Sequence, residues 1–212
     1  MLFALIFEAK TNSINMKFLF TLLFPLIFGT VSYEQVITYE DFKTVIRFVE
    51  KEDFKTVFEK TNALLGSTQN DSSDLRGIVT YMNIFSSAGM VSLGQMNYDD
   101  FSKNANKYVG QRLVMRVNPC IDSSANKFNA LQFAMKDGEL QGKSVTANNK
   151  GTSIFFFEYF KYADAINPED YVGENVRCGG TLASVDINPN KSTIWIARLH
   201  ISNAFARITQ PR

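Results

Sequence analysis

EDFKTVIRFVEKEDFKTVFEK, residues 40–60, holds the hexamer EDFKTV twice, beginning at Glu40 and again at Glu52. Twelve residues at about 100° each would set the two copies roughly 120° apart on one straight helix. The apolar positions form two stripes instead. Phe42, Val45, Ile46 and Val49 recur at i, i+3, i+4 and i+7, and Phe54, Val57 and Phe58 make a second set. Stripes facing different ways predict two helices with a break over residues 50–53. Thr38, with Asp41 three positions on, has the form of a capping pair for the first helix. Gly66 is a stop signal for the second. A hexamer is too short for a domain repeat, so the duplication is read as a local coincidence.

Downstream, Leu75, Ile78, Val79, Met82 and Phe85 keep helical spacing, which predicts a third helix over residues 75–87. A short fourth helix is expected over 98–108, with Phe101, Ala105 and Tyr108 on one side. From Gln111 the pattern changes to β-rich runs separated by turn residues. Strands are predicted at 112–117, 128–136, 140–147, 152–161, 176–187 and 193–202. Asp137-Gly138, Asn148 to Gly151 and Asn188 to Lys191 mark hairpin turns. Helices first, then a mostly antiparallel sheet, define an α+β domain. Phe155, Phe156 and Phe157 in succession require cover on both faces of that sheet, from the helices on one side and from curvature or a partner chain on the other.

This order resembles the nuclear transport factor 2-like family, in which helices are wrapped by a strongly curved sheet into a cone. The resemblance is carried by FVEKEDFKTVFEK (48–60), an apolar helix, an acidic break and a second apolar helix. It is carried also by the helix-then-strand passage NYDDFSKNANKYVGQRLVMRV (97–117) and the hairpins that follow. The family contains ketosteroid-isomerase-like and dehydratase-like enzymes alongside members that only bind or dimerise. The resemblance therefore implies a pocket at the mouth of the cone and leaves its occupant open.

At the front of the chain, Met16 opens the pattern of a secretory leader. Lys17 gives the positive start, residues 18–28 the apolar run, and Thr30-Val31-Ser32 a site for cleavage after Ser32. A spanning helix needs about 20 apolar residues; this run is shorter and contains Pro25. The expectation is a signal peptide at 16–32, an upstream extension at 1–15 and a secreted domain at 33–212. Lys10, Lys17 and Glu8 fall before that domain, which leaves it 20 cations and 20 anions. A balanced charge with no basic cluster argues against nucleic acid as a partner.

In an exported chain an even cysteine count suggests pairing, so Cys120 and Cys178 are expected to form a disulfide. Asn70-Asp71-Ser72 and Asn190-Lys191-Ser192 are glycosylation acceptors in turn-like stretches, with Asn70 and Asn190 as the sugar-bearing residues. Two cysteines and one histidine are too few for a zinc site, and no motif calls for a cofactor.

His200 is the only histidine. In TIWIARLHIS (193–202), alternation sets Ile194, Ile196, Arg198, His200 and Ser202 on one face and Trp195, Ala197, Leu199 and Ile201 on the other. A histidine at a cavity mouth has the chemistry of a general acid or base once a carboxylate orients it; Glu158 and Asp186 are the strand-borne candidates. RCGGTLAS (177–184) looks like the strand before the catalytic histidine of chymotrypsin-like proteases, but His200 is followed by Ile201 rather than the cysteine of that motif. Gly179 and Gly180 are better read as a bulge or close approach beside Cys178. Two functions follow. The first is a secreted, non-catalytic domain binding a small apolar ligand or a protein partner, with a homodimer as one form. The alternative is a small-molecule lyase or isomerase using His200 in a cone-mouth cavity.

Overall fold

A computed structural model describes residues 36–122, 127–136 and 138–209. The expected leader, the extension before it and the cleavage point after Ser32 lie outside the described residues. Helix α1 (Tyr39–Val49) opens on the predicted cap. Thr38 Oγ1 accepts the Asp41 N–H at 3.2 Å, and the Asp41 carboxylate accepts the Thr38 N–H at 2.9 Å. The chain breaks where the two stripes required it. Glu52 adopts φ 55°, a left-handed conformation uncommon for a residue with a side chain, and Asp53 caps α2 (Phe54–Ser67) through the Thr56 N–H. Helix α2 runs through Gly66 rather than stopping there. Thr68 Oγ1 donates to the Leu64 carbonyl at 2.7 Å and closes the last turn instead.

Helix α3 (Asp74–Ser92) is the centre of the molecule, with 13 of its 19 residues buried. Sequence periodicity predicted the helix only as far as residue 87, because the apolar stripe ends at Phe85 and Ser86, Ser87 and Gly89 do not continue it. They are there for closeness. A Cβ on Gly89 would collide with the Phe54 ring, and one on Gly77 would meet Val114 Cγ2 at 2.9 Å. The two serines return their hydroxyls to the Asn83 and Ile84 carbonyls. Asn83, fully buried, donates to Thr61 Oγ1 at 2.9 Å and accepts from Asn104 Nδ2 at 3.0 Å. That network ties α2 and α3 to α4 (Tyr98–Asn106), and among the described residues no buried side-chain amide is left unpaired.

The strands are β1 (Arg112–Pro119), β2 (Leu131–Lys136), β3 (Glu139–Ala147), β4 (Ile154–Tyr162), β5 (Asn175–Ile187) and β6 (Trp195–Ile208). They form one sheet in the order β1-β5-β6-β4-β3-β2. Every neighbouring pair is antiparallel except β4 with β6, which is parallel. This is the expected α+β class. The sheet is strongly curved: its two edge strands approach each other, with Cys120 bridging Leu131 and the Ile121 N–H donating to the Leu131 carbonyl at 2.9 Å. One point of contact does not close a barrel.

The three consecutive phenylalanines are accommodated by a register shift between Thr146 and Ala147 on β3. It leaves Phe155 without a cross-strand partner, so Phe155 and Phe156 are both buried against the helices. Phe155 meets the Phe54 and Phe85 rings edge-on, at 5.4 and 5.1 Å between centroids. Phe157 turns to the outer face and packs on Trp195. A second shift falls at the paired glycines of β5, where a Cβ on Gly179 would lie 2.5 Å from the Leu113 carbonyl oxygen. No helix among the described residues is long and apolar enough to cross a membrane.

Candidate functional site

Alternation along β4 decides which groups meet the helices. Phe156, Glu158 and Phe160 are buried, while Phe157, Tyr159 and Lys161 point to the other side. Glu158 is 1% exposed. Burying a carboxyl without a cation demands hydrogen bonds, and three hydroxyls supply them. Tyr81 on α3 donates to Oε1 at 2.6 Å, Ser144 on β3 donates to Oε2, and Thr146 Oγ1 lies 2.9 Å from Oε1. Burial pushes the Tyr81 phenol well above its ordinary value, and the adjacent Glu158 charge adds to this. Tyr81 is therefore a proton donor that does not ionise in the physiological range.

Tyr81 also forms a wall of a pocket between α1, α3 and β1. The pocket has a volume of about 250 Å³ and is faced by Phe42, Ile46, Ile78, Met82, Met115 and Val117. Its α1 wall is the very stripe that predicted the helix. Val45 is fully covered by Val57 and Met82, yet Phe42, Ile46 and Val49 are only half-buried, because they stand over this opening. Two cations complete the lining, Arg116 on β1 and Arg177 on β5. The Arg116 guanidinium donates to Asn129 Oδ1. Arg177 Nε is buried with no hydrogen-bond partner among the described residues.

His200 lies elsewhere. In the β4–β6 register it pairs with Tyr159, whereas Glu158 pairs with Leu199. Paired residues share a face, so His200 and Glu158 point to opposite sides of the sheet. On the outer side His200 stacks on Tyr159, with 5.3 Å between ring centroids, and its Nε2 is 2.8 Å from Asp186 Oδ2. Their side chains are 36% and 56% exposed. Of the two carboxylates considered for His200, the structure brings Asp186 to it and takes Glu158 away. His200 instead lines a separate opening of about 200 Å³ on the outer face, with Gln141, Tyr159, Lys161 and Ser202, across the sheet from the pocket beside Tyr81.

Cys120 and Cys178 are both free and buried. The strand register explains why no bridge joins them. The Cys120 N–H donates to the Glu174 carbonyl at 2.8 Å, which sets Cys120 across from a residue four positions before Cys178 on β5. Four residues of strand cover roughly 13 Å, beyond the limit of about 7 Å between Cα atoms that a disulfide can span. Burial raises the two thiols to about 11 and about 12, respectively. The Cys178 thiol lies 3.8 Å from the Tyr162 hydroxyl. Asn70 and Asn190 are exposed turn residues, one between α2 and α3 and the other between β5 and β6. Among the described residues no three His, Cys, Asp or Glu side chains gather as metal ligands.

Sequence reasoning missed Tyr81, Arg177 and the burial of Glu158. A signal existed for the last: in FFFEYF (155–160), Glu158 has Phe156 and Phe160 as its same-face neighbours, and a carboxyl so flanked belongs to the core. No signal marked Arg177, whose position depends on how β5 meets the helix layer.

Comparison of the chain with family models, with curated proteins and with solved structures found no match in any of the three.

Proposed function

We propose that this chain is an exported, non-catalytic binding domain that holds a small apolar molecule in the pocket between α1, α3 and β1. The observation that carries the reading is the half-covered stripe of α1. Phe42, Ile46 and Val49 have the periodicity of core residues, yet among the described residues they are only partly covered and open onto the pocket. Apolar side chains at core spacing gain their stabilisation only when water leaves them, and a ligand filling the pocket would complete that burial. A concave, mostly apolar site with a few polar groups is the usual form of a small-molecule pocket. The leader pattern at residues 16–32 and the exposed Asn70 and Asn190 support export. Helices preceding a curved sheet whose edges nearly meet support kinship with the nuclear transport factor 2-like cone.

The test is a fluorescence titration of the full chain with a neutral apolar dye such as Nile red, followed by displacement with octanol. Binding that octanol reverses, and that Ile46→Trp abolishes with an unchanged circular dichroism spectrum, is the expected outcome. Equal dye binding by Ile46→Trp would refute the location.

A further inference from the structure

We propose that the ligand of this pocket is an apolar chain ending in a single oxyanion head, a medium-chain fatty carboxylate, and that Arg177 reads the head. The inference rests on the pocket being a ligand site and goes further by assigning the chemistry of what enters. Three observations converge on it.

The first is the buried Nε of Arg177, which has no acceptor among the described residues. A buried guanidinium N–H left without a partner is costly, and nearly all such groups in native proteins are satisfied. A carboxylate is the natural acceptor, because the Nε edge of a guanidinium presents parallel donors that match its two oxygens. The second is the sign of the site. Arg116 and Arg177 line it, no Asp or Glu does, and neither arginine forms an ion pair among the described residues. Two cations beside apolar walls favour an anion and repel an amine, since the nearby Glu158 carboxylate sits behind Tyr81 with its oxygens taken up by three hydroxyls. The third is size. At roughly 30 Å³ per heavy atom, a water's share of liquid volume, the pocket of about 250 Å³ accommodates about eight such atoms. That is close to the ten heavy atoms of octanoate and far below the count of a nucleotide or a sterol.

Each group has a separable task. Phe42, Ile46, Ile78 and Met82 take the chain, Arg177 takes the head, and Arg116, already bonded to Asn129, supplies charge at the rim.

The experiment measures octanoate, octanol and octylamine against the full chain by isothermal titration calorimetry, with Arg177→Gln and Arg177→Lys as variants. Octanoate should bind about tenfold to hundredfold tighter than octanol, the weight of a hydrogen bond to a charged group, and octylamine weakest. Arg177→Gln should bring octanoate down to the octanol level while leaving octanol unchanged, and Arg177→Lys should recover only part of the difference. Equal affinity of the wild-type chain for octanoate and octanol would overturn the head-group assignment and leave the apolar pocket standing. Binding of neither would overturn both. If Arg177→Gln fails to fold, the octanoate-to-octanol ratio of the wild-type chain decides alone. Co-sedimentation with phosphatidylglycerol vesicles separates the two sources of an anionic chain. Pelleting without octanoate binding would place the chain chemistry in a membrane lipid and overturn the free acid.

Discussion

Glu158 on β4 and His200 on β6 occupy adjacent positions in the same strand register, each with polar partners within 2.9 Å. One faces the helices and the other faces outward, and that alone separates their energetics. Glu158 has lost its water and depends on Tyr81, Ser144 and Thr146 for every hydrogen bond. His200 and Asp186 keep solvent around them, so water can replace each as the other's partner. The same kinds of group are high-stakes on one side of a sheet and nearly free on the other. A polar constellation therefore has to be judged by its burial before its residue types are read as chemistry.

The sharpest way to break this comparison is Glu158→Ala. It removes the acceptor from three buried hydroxyls, at about 1–3 kcal/mol for each left unsatisfied, with partial relief where Ser144 and Thr146 can turn to backbone carbonyls. A loss of about 3 kcal/mol or more is expected, or roughly 6–12 °C in melting temperature for a domain of this size. Thermal unfolding followed by circular dichroism reads it. Glu158→Gln, which keeps one acceptor oxygen, should lose clearly less. A change under about 1 kcal/mol for the alanine variant would mean that water reaches the cluster.

How much of this could be read from the chain follows the range of each interaction. The α1–α2 break and its Thr38–Asp41 box depend on residues within one turn of each other, and they lie where the duplicated hexamer puts them. The hairpin turns are equally local: Gly138 and Gly151, at φ 80° and 67°, stand where the turn residues predicted. What depended on distant partners was not legible. The end of α3 beyond residue 87 was hidden by Gly89, whose smallness is explained only by the Phe54 ring against it. The parallel pairing of β4 with β6 leaves no mark in either strand. Cysteine counting could not reveal that the β1–β5 register holds the two thiols apart. The pocket was the least legible of all, because the stripe that predicts α1 is the same whether it meets core or opening.

The thiols give a second test of buried against exposed. With Cys120 raised to about 11 and Cys178 to about 12 by burial, neither forms the reactive thiolate near neutral pH. At pH 8 the folded chain should resist iodoacetamide for hours, and both cysteines should label within minutes in denaturant, as counted by intact mass. The linkage has a definite sign. The folded values are raised above the ordinary thiol value, so the stability contribution is complete below about 9 and declines as pH rises toward 11 and 12. The denaturation midpoint should fall across that alkaline window, and Cys178→Ser, whose hydroxyl does not ionise there, should fall less steeply. Label on either cysteine of the folded chain at pH 8 would show that the β1–β5 end opens.

The smallest effect is expected at His200. Replacing it with alanine removes one bond to Asp186 and the stack on Tyr159, both on a face where water competes. Exposed pairs of this kind are worth about 0.2–1 kcal/mol and weaken further in salt. A double-mutant cycle with His200→Ala and Asp186→Asn should give a coupling inside that range, shrinking as sodium chloride is raised. The comparison gains most from this measurement if it fails. A coupling above about 2 kcal/mol, insensitive to salt, is what a desolvated pair gives. The chain alone leaves Asp186 and His200 open to water, so such a value would require the outer face, with Phe157, Trp195 and Tyr159, to be covered in solution by a second copy of the chain. Analytical ultracentrifugation of the same samples would then have to show a dimer.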